Sequence, residues 1–315
     1  MKEFELIEYI AQKFSRQKNA GGLILPIGDD CSAVRPPKGF LQVTTADSLV
    51  EGNHFSLEYF SKKDIGRKAV RVNISDLASM GAIGPYYAWL TFAIPGDMKE
   101  AAVKRIIDGI RQDCLKYPVV LAGGNITSAR EFSIHVTMSG WVKKTNLLTR
   151  SGAKPGDVIF VTGNIGGPTM AYKQFKQGKK PEDFLLKCWA LPHPKPEIGI
   201  FLADKKIATS CIDISDGIFQ DLQHVTLKSG VGAVIQWDRI PVLPKLKKRN
   251  PTPDMIGFGE DYELLFTVPP SRLKLLAPIA GDITEIGRIV KKGFSVMDDL
   301  GKRIDAANVG YHHFI

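Results

Sequence analysis

Hydrophobic positions recur at helical and at strand spacings in alternating segments of the chain. Phe4, Ile7, Ile10 and Phe14 lie three or four residues apart and predict a first helix. Longer amphipathic helices are predicted over residues 64–80, ended by Gly81, and over residues 98–117. Strands are predicted where apolar residues run together or alternate with polar ones, at 41–45, 86–94, 119–122, 132–142, 158–162, 207–212 and 262–268. This alternation predicts an α/β or α+β protein.

A turn-rich stretch divides the pattern near its middle. Residues 151–157 read Ser-Gly-Ala-Lys-Pro-Gly-Asp, the best candidate for a domain boundary. A chain of 315 residues also favours two domains of about 150 residues over one. We therefore expect domains over residues 1–150 and 151–315, with loops at 192–196 and 243–253 in the second.

Composition and charge exclude several classes of protein. Hydrophobic residues make up 44% and charged residues 24%, which is typical of a globular protein. The longest apolar stretch, residues 86–94, is about half of a membrane span, and the acidic N-terminus is unlike a signal peptide. The four cysteines lack metal-ligand spacing, which predicts reduced thiols in a cytoplasmic protein. The net charge of +9 is scattered and lacks an aromatic RNA-binding signature, so small phosphorylated substrates are favoured over nucleic acid.

Aspartates occur where strands are predicted to end and helices to begin. They stand in Gly28-Asp29-Asp30, at Asp47 after strand 41–45, at Asp76, and in Asp213-Ile214-Ser215-Asp216-Gly217. Asp76 falls in the middle of the apolar face of helix 64–80, where a lone carboxylate is costly unless it is paired. A metal ion would offset that cost, but so would backbone amides or an arginine. Asp213 or Asp216 could equally cap the helix that follows, and Gly-Asp-Asp could be an ordinary turn. Together, however, carboxylates beyond strand ends favour a Mg²⁺ site.

Two glycine-rich segments and one acidic segment remain open to two interpretations each. Residues 123–127 and 163–167 follow predicted strands, and their bare backbone could approach a phosphate or form a plain tight turn. The acids in residues 257–266 could form a solvated strand entry or a substrate-contacting loop. Neither glycine segment matches the P-loop or GxGxxG, and the chain has no GxSxG or HExxH pattern. The residues alone therefore point to Mg²⁺-dependent phosphoryl transfer without a protein nucleophile.

In combination and in this order, the motifs resemble the thiamine-monophosphate kinase family, part of the superfamily of the aminoimidazole ribonucleotide synthetases. The resemblance covers nearly the whole chain and rests on residues 28–30, 44–55, 73–81, 123–127, 151–157, 213–217, 259–266 and 310–314. It implies ATP-dependent phosphorylation of thiamine monophosphate to thiamine diphosphate, the last step of thiamine diphosphate biosynthesis. It also implies a two-domain fold in which the N-terminal domain binds ATP and Mg²⁺ and forms a homodimer through its sheet. The C-terminal α/β domain would complete the substrate site, and no nucleic acid or membrane partner is expected.

The resemblance assigns expected roles to individual residues. Several Mg²⁺ ions would be held by Asp30, Thr45, Ala46, Asp47, Asp76, Asn125, Asp213 and Asp216. ATP would contact Gly124, Asn125, Arg150 and Ser215, and thiamine monophosphate would contact His54, Glu260 and Tyr311. Asp47, Asp76, Asp213 and Arg150 would take part in a direct in-line transfer that needs no strong base. An acid and an aromatic ring also suit a cationic thiazolium.

The chain departs from the family pattern at three positions. Asn125 replaces the usual aspartate, so we expect a weaker metal at that position. Ala46 lacks a hydroxyl ligand, which leaves its backbone carbonyl, and Phe258 replaces a glycine in the substrate loop. Asp29, Glu51, Asp261 and Glu263 receive no role.

Three other functions can be weighed against this family. A selenophosphate synthetase would carry a reactive cysteine in a glycine-rich N-terminal segment, whereas the first cysteine here is Cys31, inside the acidic motif. Aminoimidazole ribonucleotide synthetase lacks the Gly-Glu-Asp-Tyr-Glu-Leu motif in this form. A basic nucleotide- or RNA-binding protein would leave the aspartates unexplained and would show no turnover of ATP.

Overall fold

The computed structural model describes residues 3–14, 22–25, 31–306 and 309–311. The chain divides into two compact units, which we call unit 1 (Met1–Leu77 with Ala82–Thr145) and unit 2 (Ala78–Gly81 with Asn146–Ile315). Both units combine helices with a sheet, which confirms the mixed α/β class. No helix among the described residues is long and apolar enough to cross a membrane.

Unit 1 is built on a four-stranded sheet. Its helices are α1 (Glu3–Lys13), α2 (Lys62–Ser79) and α3 (Glu100–Lys116), and its strands are β1 (Leu23–Leu25), β2 (Ala33–Val34), β3 (Phe40–Val50), β4 (Ile83–Pro95), β5 (Val119–Ala129) and β6 (Ser133–Lys143). The sheet order is β3-β6-β4-β5, and β1 and β2 form a separate pair. β6 pairs antiparallel with both β3 and β4, while β5 runs parallel to β4.

Helix α2 is the most deeply buried element of unit 1. Ile65, Ala69 and Val72 are fully buried, as the helical spacing predicts. Arg71 is buried as well, and its guanidinium forms an ion pair with the buried carboxylate of Asp113 on α3. Some polar positions of α2 are therefore enclosed too, and burial on this helix does not follow polarity alone.

Unit 2 is built on a seven-stranded sheet of order β13-β12-β9-β11-β7-β10-β8. The strands are β7 (Val158–Thr162), β8 (Ser210–Asp213), β9 (Gly232–Gln236), β10 (Leu264–Val268), β11 (Ile283–Val290), β12 (Phe294–Met297) and β13 (Arg303–Ile304). The helices are α4 (Gly167–Lys176), α5 (Asp183–Ala190), α6 (Pro196–Asp204), α7 (Ile218–Ser229), α8 (Pro244–Lys247) and α9 (Pro253–Ile256). β10 lies between β7 and β8 and pairs antiparallel with both. One core packs on this sheet, where Phe160 and Phe266 stack with ring centroids 5.6 Å apart.

Three predicted boundaries are wrong, for physical reasons. β3 continues through Asp47 to Val50, because it pairs with β6 along its whole length. β5 continues through residues 123–127, because these residues pair with β4. The predicted loop 243–253 contains the short helix α8, which begins at Pro244, a residue suited to the first helical turn. The strand predicted over 158–162 is confirmed as β7, and the helix over 64–80 as α2 within two residues.

Candidate active site

Strand β3 and helix α2 bring oxygen ligands together in unit 1. Alternate residues of β3 share a face, so Thr45 and Asp47 point to the same side of the sheet. The Thr45 hydroxyl donates a hydrogen bond to the Asp76 carboxylate, which fixes that side as the one that meets α2. Asp76 is only partly buried, although its neighbours along the helix are enclosed. A hydroxyl and two carboxylates are thus placed on the α2 side of the sheet.

Ala46 and Asn125 lie on the opposite side of the same sheet. The pairing register places Asn125 beside Thr91, Thr91 beside His135, and His135 beside Ser48. Side chains paired across strands share a face, so Asn125 is on the face of Ala46 rather than that of Thr45 and Asp47. Both Ala46 and Asn125 are exposed. The predicted unit 1 metal ligands are therefore split between two faces.

The first glycine-rich segment is a strand and not a turn. Gly123 and Gly124 pair with Trp89 and Leu90 inside the β4–β5 ladder. A Cβ atom at Gly124 would collide with the carbonyl oxygen of Leu90. Close approach of two strands explains this glycine, so the expectation of a turn at this position is wrong.

His54 sits in the turn that follows β3. Its Nδ1 accepts a hydrogen bond from the Val50 amide at 3.1 Å. The ammonium group of Lys68, which is fully buried on α2, donates to the His54 carbonyl oxygen at 2.7 Å. Glu51, which had no predicted role, accepts from the Leu57 amide at 3.3 Å, and burial raises the pKa of its carboxyl. The turn that positions His54 is therefore fixed from inside unit 1. Asp30 and Asp29 lie outside the described residues.

In unit 2, three consecutive backbone amides just after β8 donate to a single acceptor. Asp213 is the last residue of β8 and is buried. The amides of Ser215, Asp216 and Gly217 all donate to one carboxylate oxygen of Asp221, at 3.1, 3.1 and 3.0 Å. The residue that satisfies these amides at the start of α7 is therefore Asp221. The alternative that Asp213 or Asp216 is the N-cap residue of this helix is wrong, since the N-cap position is occupied by Gly217.

Asp221 also belongs to a group of ligating side chains. Ligand atoms of Asp216, Asp221 and His224 all lie within 4.8 Å of one another. Burial raises the pKa of Asp221 to about 8, and the carboxylate of Asp216 adds to the rise, while the amide hydrogen bonds and Arg150 oppose it. Arg150, although exposed, is thus placed close enough to act on this group. Sequence reasoning missed Asp221 and His224, whose only signal was their spacing of three on α7.

The acidic segment before β10 adopts an unusual backbone. Residues 259–263, which we call the acid loop, precede β10 and include Glu260 and Tyr262 at positive φ, 63° and 53°. Such conformations are costly for residues other than glycine and persist only where neighbours hold them. Gly259 also has positive φ, and a Cβ atom there would collide with the Ser215 carbonyl oxygen. The acid loop therefore lies directly against the Asp213–Gly217 backbone.

Glu260 faces a cluster of aromatic rings. One carboxylate oxygen accepts from the Trp189 indole N–H at 2.7 Å, and the other accepts from the Tyr262 hydroxyl at 3.2 Å. The ring of Tyr172 meets Trp189 edge-on with centroids 5.7 Å apart, and it meets Tyr311 with centroids 6.3 Å apart. We call Tyr172, Trp189 and Tyr311 the aromatic cluster. It brings together Glu260 and Tyr311, which are 51 residues apart in sequence (311 − 260).

Two of these rings were not predicted from sequence. Tyr172 lies on α4 and Trp189 on α5, and Phe175 packs beside Trp189 with centroids 5.5 Å apart. Burial raises the pKa of the Tyr172 phenol, and the charge of Glu260 adds to the rise. Aromatic residues at helical spacing usually belong to a hydrophobic core. It is the contact of this cluster with the Glu260 carboxylate that indicates a binding site. This arrangement can hold a flat, positively charged ring.

Comparisons with known proteins agree on one family. The model "AIR synthase related protein, N-terminal domain" matches residues 28–142, and "AIR synthase related protein, C-terminal domain" matches residues 154–299. The thiamine-monophosphate kinase of Escherichia coli is 35% identical over 99% of this chain and 98% of its own. The crystal structure of thiamine-monophosphate kinase from Stenotrophomonas maltophilia has a TM-score of 0.82 at 30% identity, covering 96% of this chain and 98% of that one.

A second solved structure, AaThiL complexed with AMPPCP and TMP, has a TM-score of 0.76 at 30% identity. It covers 99% of this chain and 97% of the other. Full-length similarity at this level, with both domain models in order, shows that the chain belongs to the thiamine-monophosphate kinase family of AIR synthase related proteins.

Proposed function

We propose that this chain transfers the terminal phosphoryl group of ATP directly to the phosphate of thiamine monophosphate. An oxygen of the acceptor phosphate attacks the γ-phosphorus, the bond between that phosphorus and the β–γ bridging oxygen breaks, and thiamine diphosphate and ADP are formed. The acceptor oxygen is already ionised near neutral pH, so the reaction needs charge neutralisation and alignment more than a strong base. Family membership supports the reaction, and AaThiL binds an ATP analogue and TMP.

The observation that carries the substrate assignment is the contact between Glu260 and the aromatic cluster. Thiamine monophosphate has a permanently cationic thiazolium ring joined to an aromatic pyrimidine. A carboxylate and ring faces stabilise such a cation through electrostatic and cation–π attraction. We assign Glu260 and Tyr311 to this substrate, and His54 to its phosphate end. A basic RNA-binding protein would have no use for a carboxylate among aromatic rings.

The oxygen donors of both units fit Mg²⁺. In unit 1, the hydroxyl of Thr45 and the carboxylate of Asp76 already touch, which shows that donors from two elements converge. In unit 2, Asp216 lies within the group formed with Asp221 and His224. All the predicted side-chain ligands supply oxygen, the donor that Mg²⁺ prefers. The residues that would hold it are Asp30, Thr45, Ala46, Asp47, Asp76, Asn125, Asp213 and Asp216. When bound, Mg²⁺ neutralises phosphate charge and orients the transferred group.

Residues near the Asp213–Gly217 segment suit the nucleotide. Arg150 is an exposed cation whose field reaches Asp221, and it can stabilise charge on the transferred phosphoryl group. Ser215 offers a hydroxyl beside the three backbone amides that donate to Asp221. We assign ATP to Arg150, Ser215, Gly124 and Asn125, although Gly124 serves strand pairing as well.

We also propose how the chain is organised around this reaction. Residues 1–150 would bind ATP and Mg²⁺ and form a homodimer, and residues 151–315 would complete the substrate site. The exposed face of the unit 1 sheet, which carries Thr44, Ala46 and Ser48, supports dimerisation through that sheet. Because ATP and thiamine monophosphate are intracellular metabolites, we place the enzyme in the cytoplasm.

The decisive experiment measures ADP release from MgATP with and without thiamine monophosphate. We expect turnover only with the monophosphate, loss of turnover with EDTA, and recovery on adding excess Mg²⁺. Formation of thiamine diphosphate in equal amount to ADP would exclude simple ATP hydrolysis. ADP release that ignores the monophosphate would reject the substrate assignment while leaving a metal–nucleotide site in place.

A further inference from the structure

The acid loop is joined to the Asp213–Gly217 segment by its backbone. The amides of Glu260 and Tyr262 donate to the carbonyl oxygens of Ser215 and Ile214, both at 2.9 Å. The Ile214 amide donates in return to the carbonyl oxygen of Glu263 at 2.8 Å. These bonds stabilise the positive-φ backbone of the acid loop. They do not by themselves hold the acid loop against α4 and α5, the helices that carry Tyr172 and Trp189.

A second pair of hydrogen bonds joins the acid loop and the residue before it, Phe258, to the start of α4. The Gly166 amide, at the N-cap of α4, donates to Asp261 Oδ1 at 2.8 Å. In the other direction, the Phe258 amide donates to the hydroxyl of Thr169, in the first turn of α4, at 3.2 Å. Tyr172 follows one turn later on the same helix. Asp261 and Thr169 therefore couple the loop that carries Glu260 to the helix that carries part of the aromatic cluster.

We propose that Asp261 is a positioning residue for the cationic ring of the substrate: by binding the Gly166 amide, it holds Glu260 facing the aromatic cluster. Its side chain is buried, and its Oδ1 atom is taken up by the N-cap amide of α4. We therefore assign it an action through Glu260 and α4, and no contact with the substrate. The inference rests on the proposed function, because it needs a substrate whose ring Glu260 recognises.

The environment of Asp261 disfavours a negative charge and uses the side chain as a hydrogen-bond acceptor. Its second oxygen, Oδ2, is buried and has no hydrogen-bond partner among the residues that the structure describes. Burial raises the pKa of this carboxyl well above its usual value, and the nearby carboxylates of Glu263, Asp221 and Glu260 add to the rise. The contact that matters is the one from the Gly166 amide to Oδ1, and an amide oxygen at the same position can accept it as well. An asparagine should therefore replace it, whereas an alanine should not.

The test compares Asp261→Ala with Asp261→Asn in steady-state kinetics. For Asp261→Ala we expect the KM for thiamine monophosphate to rise roughly 5- to 100-fold, the range that follows from leaving one buried amide without an acceptor. The KM for ATP should change by less than about twofold, because the backbone bonds to Ser215 and Ile214 remain. Asp261→Asn should restore the KM for thiamine monophosphate to within about threefold of the wild-type value, since it keeps the acceptor oxygen. Thr169→Val removes the hydroxyl that accepts from the Phe258 amide. It should therefore raise the KM for thiamine monophosphate and leave the KM for ATP unchanged.

A matched control comes from Asp157, a buried acid that directly precedes β7. It accepts from the Lys154 amide at 2.9 Å and from the Thr209 hydroxyl at 2.6 Å, without contact to α4 or the acid loop. Asp157→Ala should lower thermal stability and leave the KM for thiamine monophosphate unchanged.

The proposal is overturned if Asp261→Ala folds and keeps the wild-type KM, or if Asp261→Asn is as impaired as Asp261→Ala. It is also overturned if Asp157→Ala raises this KM equally. Absence of any thiamine monophosphate-dependent turnover in the wild type would instead reject the proposed function.

Discussion

Replacing Glu260 by glutamine tests whether its charge, and not merely its shape, recognises the substrate. The amide oxygen of glutamine can accept from the Trp189 indole, and its nitrogen can donate to the Tyr262 hydroxyl. Both contacts of the wild-type carboxylate, at 2.7 and 3.2 Å, are therefore kept, and only the negative charge is lost. The aromatic cluster and the acid loop should stay in place.

The expected loss of binding follows from Coulomb's law. A carboxylate about 5 Å from the thiazolium charge contributes about 3 kcal/mol at an effective dielectric of about 20. Glu260 is only partly buried, so solvent reduces this, and an effective dielectric of about 40 gives about 1.5 kcal/mol. The predicted rise in KM for thiamine monophosphate is therefore about 10- to 100-fold, with little change in the KM for ATP.

Steady-state ADP release, titrated with thiamine monophosphate, measures this rise directly. A competing analogue whose thiazolium is replaced by an uncharged thiophene should bind wild type and Glu260→Gln about equally. Glu285→Gln is the matched control, because it removes one charge that pairs with Arg239 at 3.0 Å, away from the aromatic cluster. If Glu260→Gln keeps its KM for thiamine monophosphate within about twofold, charge recognition at this position is refuted.

Three further changes test other parts of the structure. Asn125→Asp should lower the Mg²⁺ concentration needed for half-maximal rate several-fold, because it adds the missing charge; an unchanged Mg²⁺ dependence in a titration of the rate would contradict a metal contact there. Glu263→Gln should remove a pH dependence of stability. Burial raises the pKa of Glu263 to about 7, so the stability that this carboxyl contributes when protonated is fully present below about pH 4.5 and is lost as pH rises through 7. In chemical denaturation, the variant should therefore gain up to about 3 kcal/mol on the wild type between pH 5 and 8. Asp113→Ala removes the buried carboxylate that pairs with Arg71 and should cost about 3–5 kcal/mol, seen by calorimetry as a lower Tm, whereas Glu100→Ala at an exposed pair should leave the Tm nearly unchanged.

The sequence predicts the elements of the fold well where one pattern dominates. β7 is a continuous apolar run, which strands buried on both faces produce, and it matches its predicted bounds. β3 and β5 fail at their ends because polar or glycine residues continue the strand. Thr45 to Ser48 read as a strand end, yet pairing with β6 continues to Val50. The pairing partner that decides the length of a strand is distant in sequence, so local composition cannot supply it.

The candidate site shows the same division between local and distant information. Motif order identifies the family, and it selects Glu260 and Tyr311. It does not select Trp189 or Tyr172, because an aromatic residue on a helix is ordinarily a core residue and only the fold places these rings beside a carboxylate. Asp221 is missed for a similar reason, since its three amide donors come from residues that no helical pattern connects to it.

The placement of three acids within four residues raises an electrostatic question that burial resolves. A site that binds the phosphates of ATP is weakened by nearby negative charge, and the acid loop lies against Ser215 and Asp216. Burial raises the pKa of Asp261 well above its usual value and that of Glu263 to about 7. Burial thus disfavours the charged form of both carboxyls, and both are used as hydrogen-bond partners within unit 2. Glu260 differs in position, because it contacts the aromatic cluster instead of the interior. The acid loop can therefore direct a negative charge at a cationic ring without directing three at a nucleotide.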